Sequence, residues 1–244
     1  MKILTWNLGY WQHSSHHDEA WDYLCNDIKP DMAFLQEVKP PSWVPHRTLS
    51  FEEITRGWGT AIFAPSLPLS KKVFSLYPGR VASASIVLNK NLSLFVASIH
   101  APIIKSRVFP HLANIFTELE LYHASNSAII GGDLNSARLC EKVWPGHGHG
   151  PFFERIDRGN RWVDCCRQFH PTEIQTFFRD TCVNPFQDDH LFVSCDLGNR
   201  VRASDVINNE LTRRVSDHIP LVAEVDLSCD FTNEPSNNAL EPTA

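Results

Sequence analysis

No apolar stretch in the sequence approaches the roughly 20 residues that a bilayer-crossing helix needs, so stable membrane insertion is not expected. The N-terminus, MKILTWNLGYW, has one lysine and a short apolar run broken by Asn7. It lacks the apolar centre of a signal peptide, and the expected compartment is the cytoplasm. Positive charge is also in short supply. The formal net charge is −6, the reverse of what unspecific coating of DNA requires. The seven cysteines are odd in number, scattered, and contain no CxxC pair, so they read as reduced thiols rather than a disulfide framework. A GxSxG elbow and a GxxxxGK[ST] phosphate loop are both absent, which leaves no serine or cysteine in a nucleophile setting.

What is present is ordinary globular material. Of 244 residues, 43% are hydrophobic and 20% charged, enough to bury a substantial core. Strand-like runs recur: KILTWNL at the start, DMAFLQEV, GTAIFA, KKVFSL, VASASIVL, LSLFVASIH, SAIIGGDLN, DHLFVS and HIPLVAEVDL. HDEAWDYLCNDI has helical spacing, with Asp18 placed to cap it and Pro30 to end it. A second helix is expected from Lys105 to His123, with Val108, Leu112, Ile115, Phe116, Leu119 and Tyr122 on one stripe. Residues 39 to 58 read as a proline-rich loop, and 139 to 188 as short helices and a long loop. The expected organisation is one domain over 1–227 and a disordered tail over 228–244, where apolar residues are few. The chain is expected to be a monomer.

The informative pattern is repetition. Successive strands end or begin on residues able to do chemistry: Asn7 in TWNLG, Glu37 in LQEV, His100 in SIHAP, Asp133 and Asn135 in GGDLN, Asp189 in DDHLFVS, Asp217 and His218 in SDHIPL. One polar strand end is a solvated turn. Several from distant parts of the chain can converge on one rim of a sheet sandwich. Carboxylates, amides and histidines together suit a hard cation, Mg²⁺ or Mn²⁺, better than zinc. Beside histidines such a cation suits phosphoester hydrolysis.

These motifs, in this order and at these distances, resemble the endonuclease/exonuclease/phosphatase (DNase I-like) superfamily. The resemblance runs from residue 3 to about 226. It implies an α+β fold, a four-layered α/β/β/α sandwich of two mostly antiparallel sheets. It implies a divalent-metal-dependent phosphoesterase, most simply a phosphodiesterase acting on nucleic acid or a nucleotide-like substrate. Carried over residue by residue, Glu37 resembles the principal metal ligand, Asn7 lies beside metal and phosphate, and Asp217 serves a second metal position. Asp133 would hold the attacking water and Asn135 a phosphate oxygen. His218 would contact the scissile phosphate or act as base, with Asp189 orienting it. His100 would protonate the leaving group or bind phosphate. A phospholipid or other small phosphodiester or phosphomonoester hydrolase is the rival enzyme reading, and a non-catalytic binding module on the same fold the rival of another class. Gly9 stands where AP endonucleases carry an acid, and SIHAP replaces their tyrosine motif, so abasic-site repair is not expected.

Some residues stay open. Arg138 could grip a second phosphate bidentately and Trp144 could stack on a base, with His147 and His149 near the rim; the same segment could be a folded surface loop. Lys105 and Arg107 are phosphate grips or the solvated start of a helix. His13, His16 and His17 read as surface histidines, because the Ser-Ser run argues against the helix that an i, i+4 metal pair would need.

Overall fold

The computed structural model describes residues 1–90, 92–104, 108–122, 127–158, 161–179 and 184–228. The strands are β1 Lys2–Asn7, β2 Met32–Val38, β3 Leu49–Thr55, β4 Trp58–Phe63, β5 Ser70–Lys72, β6 Val81–Asn89, β7 Leu92–His100, β8 Ser127–Asp133, β9 Trp162–Asp164, β10 Asp189–Ser194, β11 Val201–Val206 and β12 Leu221–Val225. They form two six-stranded sheets, ordered β11-β12-β1-β2-β4-β3 and β5-β6-β7-β8-β10-β9. Each sheet is antiparallel except for one parallel pair, β1 with β2 and β7 with β8.

The continuous apolar runs have a simple cause: both faces of each sheet are covered. Ile3, Phe34, Leu94, Val96 and Ile129 face the opposite sheet. Their neighbours Leu4 and Leu35 pack with Trp21 and Leu24 of the helical segment His17–Ile28 on one outer face. On the other outer face, Phe95 and Ile130 meet Leu112, Ile115, Phe116 and Leu119 of the helix Phe109–Tyr122. The result is the expected four layers. Each helical segment joins a parallel strand pair, the connection such pairs require.

Parallel pairing also sets the position of chemistry. The C-terminal ends of β1 and β2 leave one sheet at the same edge, and those of β7 and β8 do so in the other. β10 runs antiparallel to β8, so its first residue starts at that edge. Register places His100 opposite Asp133, and Asp133 opposite Asp189, in one row across three strands.

Local expectations differ in several places. β3 lies in the segment read as a loop; it is an edge strand whose polar residues hide its alternation. KKVFSL yields only a short strand, because Val73 is 77% exposed and the chain turns at Tyr77–Arg80. β11, charged and half-exposed, was not expected. No helix among the described residues is long and apolar enough to cross a membrane. Cys25, Cys140, Cys165, Cys166 and Cys195 are free thiols. The expected tail, from residue 229, and Lys105 and Arg107 lie outside the described residues.

Candidate active site

Asp133 is the centre of the strand-end cluster. It is 2% exposed, and two neighbours fix its carboxylate. The Asn7 side-chain amide donates to Oδ2 at 2.8 Å, and the Asn135 backbone N–H donates to Oδ1 at 2.8 Å. The imidazole Nε2 atoms of His100 and His218 each lie 3.9 Å from Oδ2. Asp133 therefore collects residues from both sheets.

The glycines before it make that position reachable. A Cβ at Gly131 would stand 2.5 Å from the Phe34 ring of the facing sheet, and one at Gly132 would stand 2.2 Å from the Ile99 carbonyl. After Asp133 the chain turns sharply, with Asn135 at φ 48°. The Asn135 side chain donates to the Ala101 carbonyl at 2.9 Å, tying the GGDLN loop to the SIHAP loop.

Glu37 reaches the cluster by a different device. A register shift in the β2–β4 pairing lies between Leu35 and Val38, and Glu37 sits at φ 46°. Such bulges re-aim a side chain out of a ladder, and the left-handed backbone is a strain the surroundings must hold. Glu37 Oε1 lies 3.5 Å from His100 Nε2. Burial, and then the charge of Asp133, push the Glu37 carboxyl up to about 7.

His218 Nδ1 is 2.8 Å from Asp189 Oδ2, so Asp189 rather than Asp188 bonds the imidazole. Burial alone would push His218 down; Asp189 and Asp133 outweigh it and hold the imidazolium well above its usual range. Its backbone is fixed as well. Trp6 donates to the His218 carbonyl, and Ser216 accepts from the His218 N–H while donating to the Asn7 carbonyl. Asp217 is half-buried, next to Gly9, where a Cβ would lie 3.7 Å from its Oδ1.

Arg80 is the residue that sequence reasoning missed. It closes the Tyr77–Arg80 turn just before β6, and a lone arginine before a strand gives no periodic or motif signal. Its Nη1 lies 3.0 and 3.3 Å from the two ring nitrogens of His100, so it sits over the ring. Burial, opposed by Asp133 and reinforced by Arg80, pushes His100 down to about 4. At neutral pH His100 is an uncharged imidazole.

Two of the expected site residues have protein partners of their own. Arg138 does not reach this cluster: its guanidinium pairs with both Asp157 oxygens at 2.7 and 2.9 Å and lies over the Phe153 ring. Both terminal nitrogens are turned to Asp157, away from the Asp133 cluster. Asn7 turns its amide nitrogen to Asp133, while its oxygen accepts from the Gly9 N–H at 2.9 Å. Its side chain also bonds Glu37, so Asn7 ties the two carboxylates together. Of the neighbouring loop, Trp144 stacks on Phe186, and His149 is buried with Nδ1 2.8 Å from Ser136 Oγ. His17 is not a surface histidine either. It is buried, with Nε2 2.7 Å from the Lys39 carbonyl and 3.0 Å from Trp21 Nε1.

The acids Glu37, Asp133, Asp188, Asp189 and Asp217 outnumber the cations Arg80 and His218 here. Asp188 too is pushed up to about 7, by burial and by Asp133. An excess of buried carboxylate raised by its own crowding suits a divalent cation. Among the described residues no three His, Cys, Asp or Glu side chains enclose one point. That is compatible with Mg²⁺, which takes one or two carboxylates and completes its shell with water and substrate phosphate.

No protein-family model and no curated protein sequence matches the chain. Solved structures do. The 3'-5' exonuclease NExo from Neisseria meningitidis is 19% identical, TM-score 0.69, over 93% of this chain and 100% of its own. An AP endonuclease from Archaeoglobus fulgidus is 20% identical, TM-score 0.67, over 93% and 100%. The APE2 catalytic domain from Xenopus laevis is 19% identical, TM-score 0.71, over 92% and 91%. The likeness is one of fold: the sandwich of two six-stranded sheets is DNase I-like.

Proposed function

We propose that this chain is a divalent-metal-dependent phosphodiesterase acting on nucleic acid or a nucleotide-like diester. The observation that carries the reading is the seating of Asp133. One carboxylate is held by Asn7 and Asn135 and approached by two histidines of opposite character, His100 neutral and His218 charged. The structural neighbours support it, since they include an exonuclease, AP endonucleases and a 3' phosphatase bound to a product DNA hairpin. The net charge of −6 favours a short or small diester over a long duplex within that class.

Each residue has a part that its geometry allows. Asp133, with its orientation fixed, holds the attacking water and accepts its proton. His218, kept charged by Asp189, stabilises the negative charge that grows on the phosphoryl oxygens. Arg80 and neutral His100 donate hydrogen bonds to the phosphate from the other side, and Asn135 borders the same pocket. Glu37 would hold the cation, with Asp217 as the second carboxylate. When bound, the cation supplies Lewis-acid polarisation of the phosphoryl group.

The test is hydrolysis of bis-p-nitrophenyl phosphate, followed by a screen over single- and double-stranded DNA, RNA, nucleotide diesters and phospholipid with Mn²⁺ present. EDTA should stop turnover, and Mg²⁺ or Mn²⁺ should restore it. Asp133→Ala and His218→Ala should each abolish turnover in a folded protein. Activity retained in either variant, or turnover that ignores EDTA, overturns the reading.

A further inference from the structure

The His218–Asp189 pair is built from two segments far apart in sequence, and both are fastened to one residue outside the sequence motifs. Thr176 is fully buried, in the irregular segment between β9 and β10. Its hydroxyl oxygen accepts from the backbone N–H of Asp188 at 3.1 Å and of Asp189 at 3.1 Å. Its carbonyl accepts from the Ile219 N–H at 2.9 Å, next to His218. Its own N–H donates to the Phe186 carbonyl at 3.0 Å, which fixes the threonine in turn.

The residues after it extend the same seam. Phe177 pairs across to His218 in an antiparallel bridge, and its ring lies 4.9 Å from the imidazole. Phe178 N–H donates to the Asp217 carbonyl at 2.7 Å. One strand-like stretch thus grips the SDH segment through its backbone and the start of β10 through the Thr176 side chain.

We propose that Thr176 is a positioning residue that sets the distance and angle between Asp189 and His218. The two-sided grip is the argument. A side chain that merely filled the core would contribute its methyl group, and valine would do as well. Among the described residues of this segment, the Thr176 hydroxyl alone bonds the Asp188 and Asp189 amides. Its loss removes the hold on these two amides and leaves the start of β10 tied only on its β8 side, while the carbonyl bond to Ile219 stays. Asp189 would then drift relative to His218, and a misplacement of about 1 Å costs up to about 100-fold in rate. The inference rests on the phosphodiesterase reading for its kinetic arm, and has a second arm that does not.

The experiment compares Thr176→Val, Thr176→Ala and Thr176→Ser. Valine keeps the volume and removes the hydroxyl; serine keeps the hydroxyl and removes the methyl. The expected result is a kcat lowered about 10- to 100-fold in the valine and alanine variants, with KM within about threefold of the parent, and near-parental kcat in the serine variant. A valine variant that folds and keeps its kcat overturns the proposal. So does a serine variant as impaired as alanine, which would assign the effect to packing. Amide hydrogen exchange reads the same contact without turnover: exchange at Asp188 and Asp189 should quicken at least tenfold in the valine variant, with exchange at Ile129 and Ile130 in β8 unchanged. Unchanged exchange at Asp188 and Asp189 sinks the proposal even in an inactive protein. Failure of the parent reading shows instead as a wild-type chain that hydrolyses no phosphoester while this exchange difference persists.

Discussion

Arg80 lies over the imidazole of His100, with Nη1 3.0 and 3.3 Å from its two nitrogens. A guanidinium is always charged, so it opposes a second positive charge on the ring. Together with burial this keeps His100 neutral, at about 4. A general acid must carry a proton to give away at the working pH. His100 is suited to donating a hydrogen bond instead. His100→Ala should therefore slow hydrolysis by a similar factor, about tenfold, for aryl phosphodiesters with good and poor leaving groups. A loss that grows steeply with leaving-group pKa, reaching the 10²- to 10⁴-fold typical of a lost acid catalyst, would show that the assignment is wrong.

Arg80 itself has no carboxylate within ion-pair distance among the described residues; burial lowers its pKa, and the charges of Glu37 and Asp133 only partly oppose that. A half-buried cation beside the proposed site is suited to binding phosphate. Arg80→Gln should lower kcat/KM about 10- to 100-fold, the range of a lost charge-assisted hydrogen bond, while leaving the melting temperature nearly unchanged. Steady-state kinetics beside a thermal melt decides this; a large drop in melting temperature with intact kcat/KM would make Arg80 structural.

Arg138 should behave in the opposite way. Its bidentate pair with Asp157 and its place over Phe153 fasten the helix His149–Arg158 to the loop after β8. Arg138→Ala should destabilise the fold by about 1–3 kcal/mol and leave KM for a diester unchanged. Urea unfolding and Michaelis curves on the same preparation separate the two effects, and a raised KM with parental stability would return Arg138 to the substrate.

His17 gives a pH prediction away from the carboxylate cluster. Burial lowers its pKa, only partly offset by the bond to the Lys39 carbonyl. The folded protein thus binds this proton less readily than the unfolded chain, whose histidine titrates near 6.5. The contribution is full above about pH 6.5 and is lost as pH falls from there through the lower folded value, at no more than about 1.4 kcal/mol per pH unit. Urea midpoints from pH 8 to pH 5 should fall more steeply for the parent than for His17→Gln. Parallel curves would mean that His17 ionises freely in the folded state.

How far the sequence reached is clear from particular residues. Asp133 and Asn135 were legible because two isoleucines and two glycines mark a buried strand that ends on polar groups. The apolar stripe of the helix Phe109–Tyr122 was legible because helical periodicity is a local property. β3 and β11 were not, since edge strands half in water carry charged residues that break the alternation. Thr176 lay in a stretch without periodicity, and its role depends on partners 12, 13 and 43 positions away.

The sequence by itself determined which residue types stand at the strand ends, because those are matters of local pattern. Tertiary structure alone decided which of them meet. The parallel pairs β1–β2 and β7–β8 bring four strand ends to one edge, and the register across β7, β8 and β10 sets His100, Asp133 and Asp189 in a row. The same packing recruited Arg80 and Thr176 and sent Arg138 to Asp157. Sheet register and long-range ion pairing depend on residues distant in the chain, so no local stretch encodes them.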